Sequence, residues 1–352
     1  MNTFSTFNYS EQNIKEFVNK NIGGEICDVE ELDSWNSGVF KATAADGRRV
    51  LVKEYKQDIK NRAEVEFTAL NFLHDNGIEQ IPCPLFADID KRLCAYEYIE
   101  GRKLTTDEIN PPEIASAVYI LVKIASLSSK VKYKDLPEAS ESCFSVKRYV
   151  ENIDWRIKRL KKEASIIDRT KFKHFLENEI SFFREEVLKY IRKGITEYGL
   201  NYEGEIPREK RFLSPSDVGF HNILLDKNGG LYFIDFEYFG WDDPAKTVCD
   251  FLLEPAVPFP DKYRRCFIKS FKGGINTDIN FKRRLTLIYP LLGLKWSLIM
   301  LNDFLPGFLR KEQKSSEQFN VHLKNQLEKS KIKLEKTAGE YREFAKMAEE
   351  IL

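Results

Sequence analysis

Residues 214–250 read SPSDVGFHNILLDKNGGLYFIDFEYFGWDDPAKTVCD, and this stretch decides how the rest of the chain is read. A loop carboxylate, Asp217, is followed five residues later by a carboxamide, Asn222. Asp226 with Asn228-Gly229-Gly230 carries the chemistry of a tight hairpin turn, and the apolar run at 231–234 is its second strand. A second carboxylate, Asp235, stands where that strand ends. Taken singly, a loop Asp or Asn means only a turn. In this order and spacing, one hairpin brings three oxygen-bearing side chains together. Phosphoryl transfer from a magnesium nucleotide needs that set: a base for the attacking hydroxyl and hard oxygen ligands for Mg²⁺. Asp217 is the expected base, and Asn222 and Asp235 the expected metal ligands. His221 is expected to support the loop, with a phosphate contact as the alternative.

Upstream, Lys53 ends the apolar strand sequence RVLVK and is a candidate phosphate anchor. A lysine at a strand end can also simply reach for water. Thirteen residues later Glu66 lies in a helical pattern beside Val65 and Ala69, where a carboxylate needs a partner. Strand lysine and helix glutamate together form the ion pair that holds nucleotide phosphates in kinases. Glu64 competes with Glu66 for that role.

Around these residues the chain changes character once. A short helix is predicted at 10–21, strands at 24–32, 37–44 and 48–55, and a helix at 62–75 with Val65, Ala69, Phe72 and Leu73 on one face. Two further strands follow at 84–89 and 93–98. Beyond 100 the pattern turns helical, at 112–129, 145–164, 169–193, 261–271, 281–304 and 312–352, interrupted by the strand-rich stretch quoted above. The expected architecture is α+β and two-lobed. Residues 1–98 form a small five-stranded lobe with one main helix that anchors phosphates. Residues 99–352 form a larger, mostly helical lobe with the catalytic loop, magnesium and substrate sites, and the hinge lies near 98.

Composition excludes several classes. Lys plus Arg equals Asp plus Glu at 55 each, so the surplus positive charge of a general nucleic-acid binder is missing. The six cysteines form no CxxC pair and read as free thiols in a reducing compartment. The first residues lack the basic flank and apolar core of a secretory signal, and no run of 18 apolar residues predicts a membrane span. The expectation is a cytoplasmic protein.

The pieces Val52-Lys53, Glu66 in EFTALNFL, AYEYIEG at 95–101, SDVGFHNILLD, FIDFEYFG and DDPAKTVCDF together resemble the aminoglycoside phosphotransferase and choline kinase group, which has the protein-kinase-like fold. The resemblance spans about residues 30–255. It implies that Lys53 and Glu66 anchor phosphates, Asp217 is the base, Asn222 and Asp235 hold Mg²⁺, and backbone groups of Glu97, Tyr98 and Ile99 meet the adenine of ATP. It also implies that Asp250 buttresses the loop. The chain departs from the pattern at Pro215, where the group usually has a histidine. The loop at 33–40 has a single glycine; serine hydroxyls there, Ser37 included, are candidates for phosphate contact, and an ordinary hairpin turn is the equal alternative.

The acceptor is less legible. Glu237, Trp241 and Asp242, with Trp296 downstream, suit a cationic substrate through ion pairing and cation–π contact. The resemblance implies an amino alcohol such as choline or ethanolamine, an aminoglycoside or a sugar. Asp242-Asp243-Pro244 also fits a helix cap, and aromatics at helical spacing also fit a core. The Lys- and Arg-rich helix at 145–164 reads first as a solvated face and second as a site for an anionic group. The apolar seam from Leu327 to Leu352 packs on its own chain or, alternatively, makes a homodimer of the monomer. The rival functions are a catalytically silent nucleotide-binding scaffold and a protein kinase. Against the first stand all five expected polar residues; against the second stands the lack of an APE-like segment and of a long activation loop.

Overall fold

The computed structural model describes residues 10–32, 37–57, 61–164, 169–306 and 316–352. Two compact units divide the chain: Met1–Glu141 with Leu213–Trp241, and Ser142–Phe212 with Asp242–Leu352. The sequence boundary expected at 98 falls inside the first unit. The strand that follows it pairs with the hairpin strand at 224–226 and draws that segment into the same unit.

The first unit opens with helix α1 (Glu11–Ile22), capped by Ser10, whose side chain accepts from the Asn13 amide. Three strands follow, β1 (Ile26–Leu32), β2 (Ser37–Ala44) and β3 (Arg49–Tyr55). The turn between β2 and β3 has Gly47 at φ +84°, a conformation that glycine adopts at no steric cost. Helix α2 (Arg62–Asp75) comes next, then β4 (Pro84–Asp88) and β5 (Leu93–Glu97). The antiparallel sheet has the order β1-β2-β3-β5-β4, which makes β3 its central strand. Ile14 and Val18 of α1 pack on one face of the sheet against Phe40, Ala42, Val50, Val52 and Ala95. Strand periodicity sends alternate residues of β3 to opposite faces, so Val50 and Val52 face α1 while Lys53 and Tyr55 face away from it. Strand β6 (Gly101–Lys103) and helix α3 (Pro111–Ser126) complete this part of the unit; Pro111 and Pro112 begin the helix, where no amide donor is needed.

The chain then enters the second unit with α4 (Val146–Glu163) and α5 (Arg169–His174). A π turn at Phe175–Ile180 separates α5 from α6 (Ser181–Tyr198), where the sequence predicts one continuous helix.

The segment quoted first returns to the first unit as far as Trp241. Short strands β7 (Phe212–Ser214) and β10 (Gly240–Asp242) bracket it, and β8 (Ile223–Asp226) and β9 (Leu231–Phe233) form the predicted hairpin, paired through β8 to β6. Asp226 closes the hairpin turn by accepting from the Asn228 amide at 2.9 Å and the Gly230 amide at 2.6 Å.

The second unit resumes with α7 (Pro244–Leu253), α8 (Arg264–Gly274), α9 (Phe281–Met300) and α10 (Ser316–Ile351). Helix α9 is its core. By length and composition, Phe281–Phe304 would cross a membrane, but 83% of its apolar window is buried, which is the signature of a central helix. Helix α10 lies against α9. The Tyr289 and Phe344 rings stack at 3.6 Å, and any side chain at Gly293 would meet Thr337 at 2.3 Å. The seam residues Leu327, Leu334, Tyr341, Ala345 and Ala348 are buried, so within this chain the seam is covered in cis.

Candidate active site

All groups of the site belong to the first unit. Lys53 sits on β3 between Val39 of β2 and Cys94 of β5, so neighbours on both sides fix its backbone. Its ammonium lies 2.8 and 3.0 Å from the two oxygens of Glu66 on α2, and 2.9 Å from Asp235 Oδ1. The Lys53 side chain is 9% exposed and that of Glu66 3%. An unpaired charge at that depth would cost several kcal/mol, so the pair exists as a unit. Glu64, the competing partner, is exposed in the first turn of α2 beside the helix cap Asn61.

Glu66 is saturated. Besides Lys53 it accepts from the Tyr55 hydroxyl at 2.6 Å and from the Phe236 amide at 3.1 Å. The Tyr55 hydroxyl in turn meets that of Tyr96 at 2.8 Å. The Phe236 contact ties α2 to the residue after Asp235. Sequence reasoning missed Tyr55 and Tyr96. The signal was there: Tyr55 is two residues beyond Lys53 on one strand face.

The electrostatics follow from this geometry. Burial opposes the Lys53 charge, yet Asp235 and Glu66 outweigh it and hold its pKa above the ordinary lysine value. Burial also opposes the Asp235 charge, and Lys53 more than offsets that, so the Asp235 carboxyl titrates below its ordinary range.

The loop that carries Asp217 is built from local strain and the hairpin. Ser216 and Asp235 both stand at φ +68°, a left-handed conformation uncommon in residues with a side chain. Such strain persists only where surrounding bonds over-determine it. Around Ser216 those bonds run from its amide to Ser214 Oγ at 3.0 Å and from the Asp217 amide to the Pro215 carbonyl at 2.9 Å. Asn222 Nδ2 donates to the Asp217 carbonyl at 3.1 Å and to Asp217 Oδ2 at 3.3 Å. The Ile234 amide donates to the Asn222 carbonyl at 3.0 Å. The hairpin therefore joins Asp217, Asn222 and Asp235 through consecutive backbone and side-chain bonds. His221 Nε2 lies 3.4 Å from Asp217 Oδ1, and Lys103 on β6 donates to the His221 carbonyl. Support that the resemblance would place two residues before Asp217 comes here from four residues after it.

At the hinge expected near 98, the Glu97 amide donates to the Cys83 carbonyl at 2.8 Å, and the Arg49 guanidinium lies 5.2 Å above the Tyr98 ring. Ile99 is half-buried between β5 and β6. Ser37 is buried at the start of β2, opposite Tyr55. Residues 33–36 of the expected phosphate loop lie outside the described residues.

The four residues expected to face a cationic substrate are all occupied within the protein. Glu237 is 1% exposed and takes the Arg62 guanidinium at 2.6 Å. Arg62 also donates to the Tyr238 hydroxyl at 2.7 Å and lies over its ring. Trp241 is buried and stacks on Tyr133 at 5.0 Å. Asp242, fully buried, pairs with Lys246 at 2.8 Å. The Trp296 indole donates to Asp250 at 3.0 Å, and Asp250 also holds Lys295 at 2.6 Å. Asp243 caps α7 through the Ala245 amide at 2.9 Å, which is the helix-cap alternative for that segment. Buried charge needs a partner, and the nearest cations are the protein's own. A cluster the sequence did not single out is Glu66, Asp235 and Glu237, whose oxygens come within 4.8 Å of one another.

The small antiparallel sheet with helix α2 presenting Glu66 to its central strand, the mostly helical second unit and the Lys–Glu–Asp constellation define a protein-kinase-like fold. Solved structures share it. Spectinomycin phosphotransferase APH(9)-Ia, in complex with ADP and spectinomycin, superposes with a TM-score of 0.63 at 16% identity over 92% of this chain and 98% of its own. Choline kinase LicA from Streptococcus pneumoniae gives 0.58 at 18% identity over 93% and 99% of the two chains. Amicoumacin kinase hAmiN gives 0.59 at 14% identity over 92% and 94%. Residues 37–271 match the model of the choline/ethanolamine kinase family. The chain belongs to that family, and it is a small-molecule kinase. No curated protein matches its sequence.

Proposed function

We propose that the protein transfers the γ-phosphoryl group of ATP, with Mg²⁺, to a hydroxyl of a small molecule. The observation that supports this most is the convergence of Glu66 and Asp235 on Lys53, with Asp235 joined by one hairpin to Asp217 and Asn222. The donor set fits the metal. Asn222 uses its amide nitrogen on Asp217, which leaves its carbonyl oxygen for a cation, and Asp235 engages Lys53 through Oδ1. Both are the hard oxygen donors that Mg²⁺ takes. Asn222 and Asp235 would hold the metal, which would supply positive charge against the phosphates.

In this reading Lys53, held by Glu66, neutralises the α- and β-phosphates. Ser37 lies against the phosphates, and backbone groups of Glu97, Tyr98 and Ile99 receive the adenine. Asp217 accepts the proton of the acceptor hydroxyl and aligns it for in-line attack. His221 and Asn222 fix the Asp217 side chain from two directions. The ADP-bound relative supports ATP as donor, and the use of ATP suits a cytoplasmic enzyme. Family membership supports an amino alcohol such as choline or ethanolamine as acceptor, ahead of an aminoglycoside or a sugar. With Glu237 and Asp242 already paired, cation recognition falls to other groups.

The test is turnover of Mg-ATP by the purified protein with choline, ethanolamine, aminoglycosides and sugars, followed by mass spectrometry of the acceptor. One acceptor gaining a single phosphoryl group supports the reading. Nucleotide binding without transfer to any of them, or transfer to serine peptides instead, overturns it.

A further inference from the structure

Helix α4 departs from the neutral balance of the chain: between Val146 and Glu163 there are seven Lys or Arg against three acidic residues. Much of this excess faces water. Lys158, Lys161 and Lys162 are exposed and have no ion-pair partner among the described residues. They line an open cavity of about 570 Å³, whose other wall is the first turn of α6, with Ser181 and Arg184. Arg184 is already neutralised, forking onto Asp154 at 2.6 and 2.7 Å and bracing the two helices together. Glu185 also lines the cavity and pairs with Arg184, so Lys158, Lys161, Lys162 and Arg184 face two carboxylates, Asp154 and Glu185, and the lining keeps a net positive charge carried by the exposed lysines.

Each wall also carries an aromatic ring in water. Trp155 on α4 is 53% exposed and Phe182 on α6 is 68% exposed. Trp155 precedes Lys158 by three positions and Lys162 by seven, so ring and ammonium groups share one helix stripe. Phe182 follows Ser181 directly on the opposite wall. The Arg159 guanidinium lies 5.4 Å from the Trp155 ring and extends the positive edge past it. None of these residues has a role in the site described above.

We propose that this face docks on an anionic lipid surface. Lysines would meet headgroup phosphates in and around the cavity, and Trp155 and Phe182 would enter the interfacial layer on either side. Exposed rings interleaved with unpaired lysines suit the headgroup region, where one end of a side chain is apolar and its surroundings are charged. A nucleic-acid strand fits less well, because Glu151 and Glu185 interrupt the continuous positive track its phosphates need.

The experiment is co-sedimentation of the full chain with vesicles of phosphatidylcholine alone and of phosphatidylcholine with phosphatidylserine. Binding is expected only to the second, and it should fall with added salt. Each lysine near such a surface contributes roughly a factor of five to partitioning, so K158Q/K161Q/K162Q should weaken binding on the order of a hundredfold. W155A/F182A should weaken it at every salt concentration. Unchanged unfolding midpoints show that both variants fold, and the salt titration of the unaltered protein tests the charge without any variant. Equal binding to neutral vesicles overturns the proposal, as does indifference to salt. Loss of vesicle binding to competing inorganic phosphate at low concentration would mark a free-phosphate site and overturn it too. So would tighter binding to a single-stranded oligonucleotide through the same lysines.

Discussion

Lys53 and Asp235, 182 positions apart in the chain, lie 2.9 Å apart in the structure. The same ammonium holds Glu66, so one cation gathers the central strand β3, helix α2 and the residue that ends the β8–β9 hairpin. Removing that cation leaves the buried Glu66 carboxylate without its partner and beside Asp235, which is 30% exposed. Lys53→Met is expected to cost about 3–5 kcal/mol of stability, the usual effect of breaking a buried pair from one side, and to abolish nucleotide binding. Lys53→Arg should not restore binding, because a planar fork does not fit a point contact between two carboxylates. Denaturant unfolding and nucleotide titration check both statements.

Asp217→Ala is expected to lower kcat by about 10²–10⁴, the range for losing a general base. The dissociation constant for Mg-ATP should change little, since Asp217 lies with Asn222 and His221 rather than with Lys53. Asp235→Ala should do the reverse and weaken Mg-ATP binding itself. Single-turnover kinetics alongside equilibrium binding separates the two; equal effects on both quantities would refute the division of roles.

Arg62 and Glu237 form the second buried link between α2 and the segment after Asp235. Arg62→Ala strands the Glu237 carboxylate, whereas Glu237→Gln removes the charge and leaves a group that can still accept a bond. The first should destabilise by a few kcal/mol and the second by less. A double-mutant cycle should give a coupling of about 1 kcal/mol or more; additive effects would mean that the contact contributes nothing.

Lys333 on α10 supplies a pH signature. Burial pushes its pKa down to about 8, against the pull of Glu340. In the unfolded chain it titrates at the ordinary 10.5, so between those values the unfolded state holds more protons. Stability should therefore rise as pH climbs from about 8 toward 10.5. Below 8 the folded protein bears the cost of a half-buried charge with Lys336 and Arg264 nearby. Lys333→Met is expected to raise stability at neutral pH and to flatten this slope, as read from denaturant midpoints across the alkaline range.

Much of the fold was legible because it is written locally. Helix α2 begins and ends where its cap and its Asn76-Gly77 stop signal place it, and β2 matches its predicted bounds. Tight turns and helix ends are settled by a few neighbouring residues, so spacing alone reveals them. The π turn at Phe175–Ile180 was not legible, since apolar spacing through that segment reads as an uninterrupted helix.

The sequence by itself determined which polar residues stand on strand, helix and hairpin, because those placements follow from periodicity and turn chemistry. Only the tertiary structure decided who pairs with whom. It gave Glu66 rather than Glu64 to Lys53, brought Tyr55 and the Phe236 amide to the same carboxylate, and assigned Glu237 to Arg62 and Asp242 to Lys246. The reason is physical. Whether an acidic side chain is free for a ligand depends on how deeply it is buried and on which cation the fold brings within about 3 Å, and neither quantity is encoded in the spacing of residues along the chain.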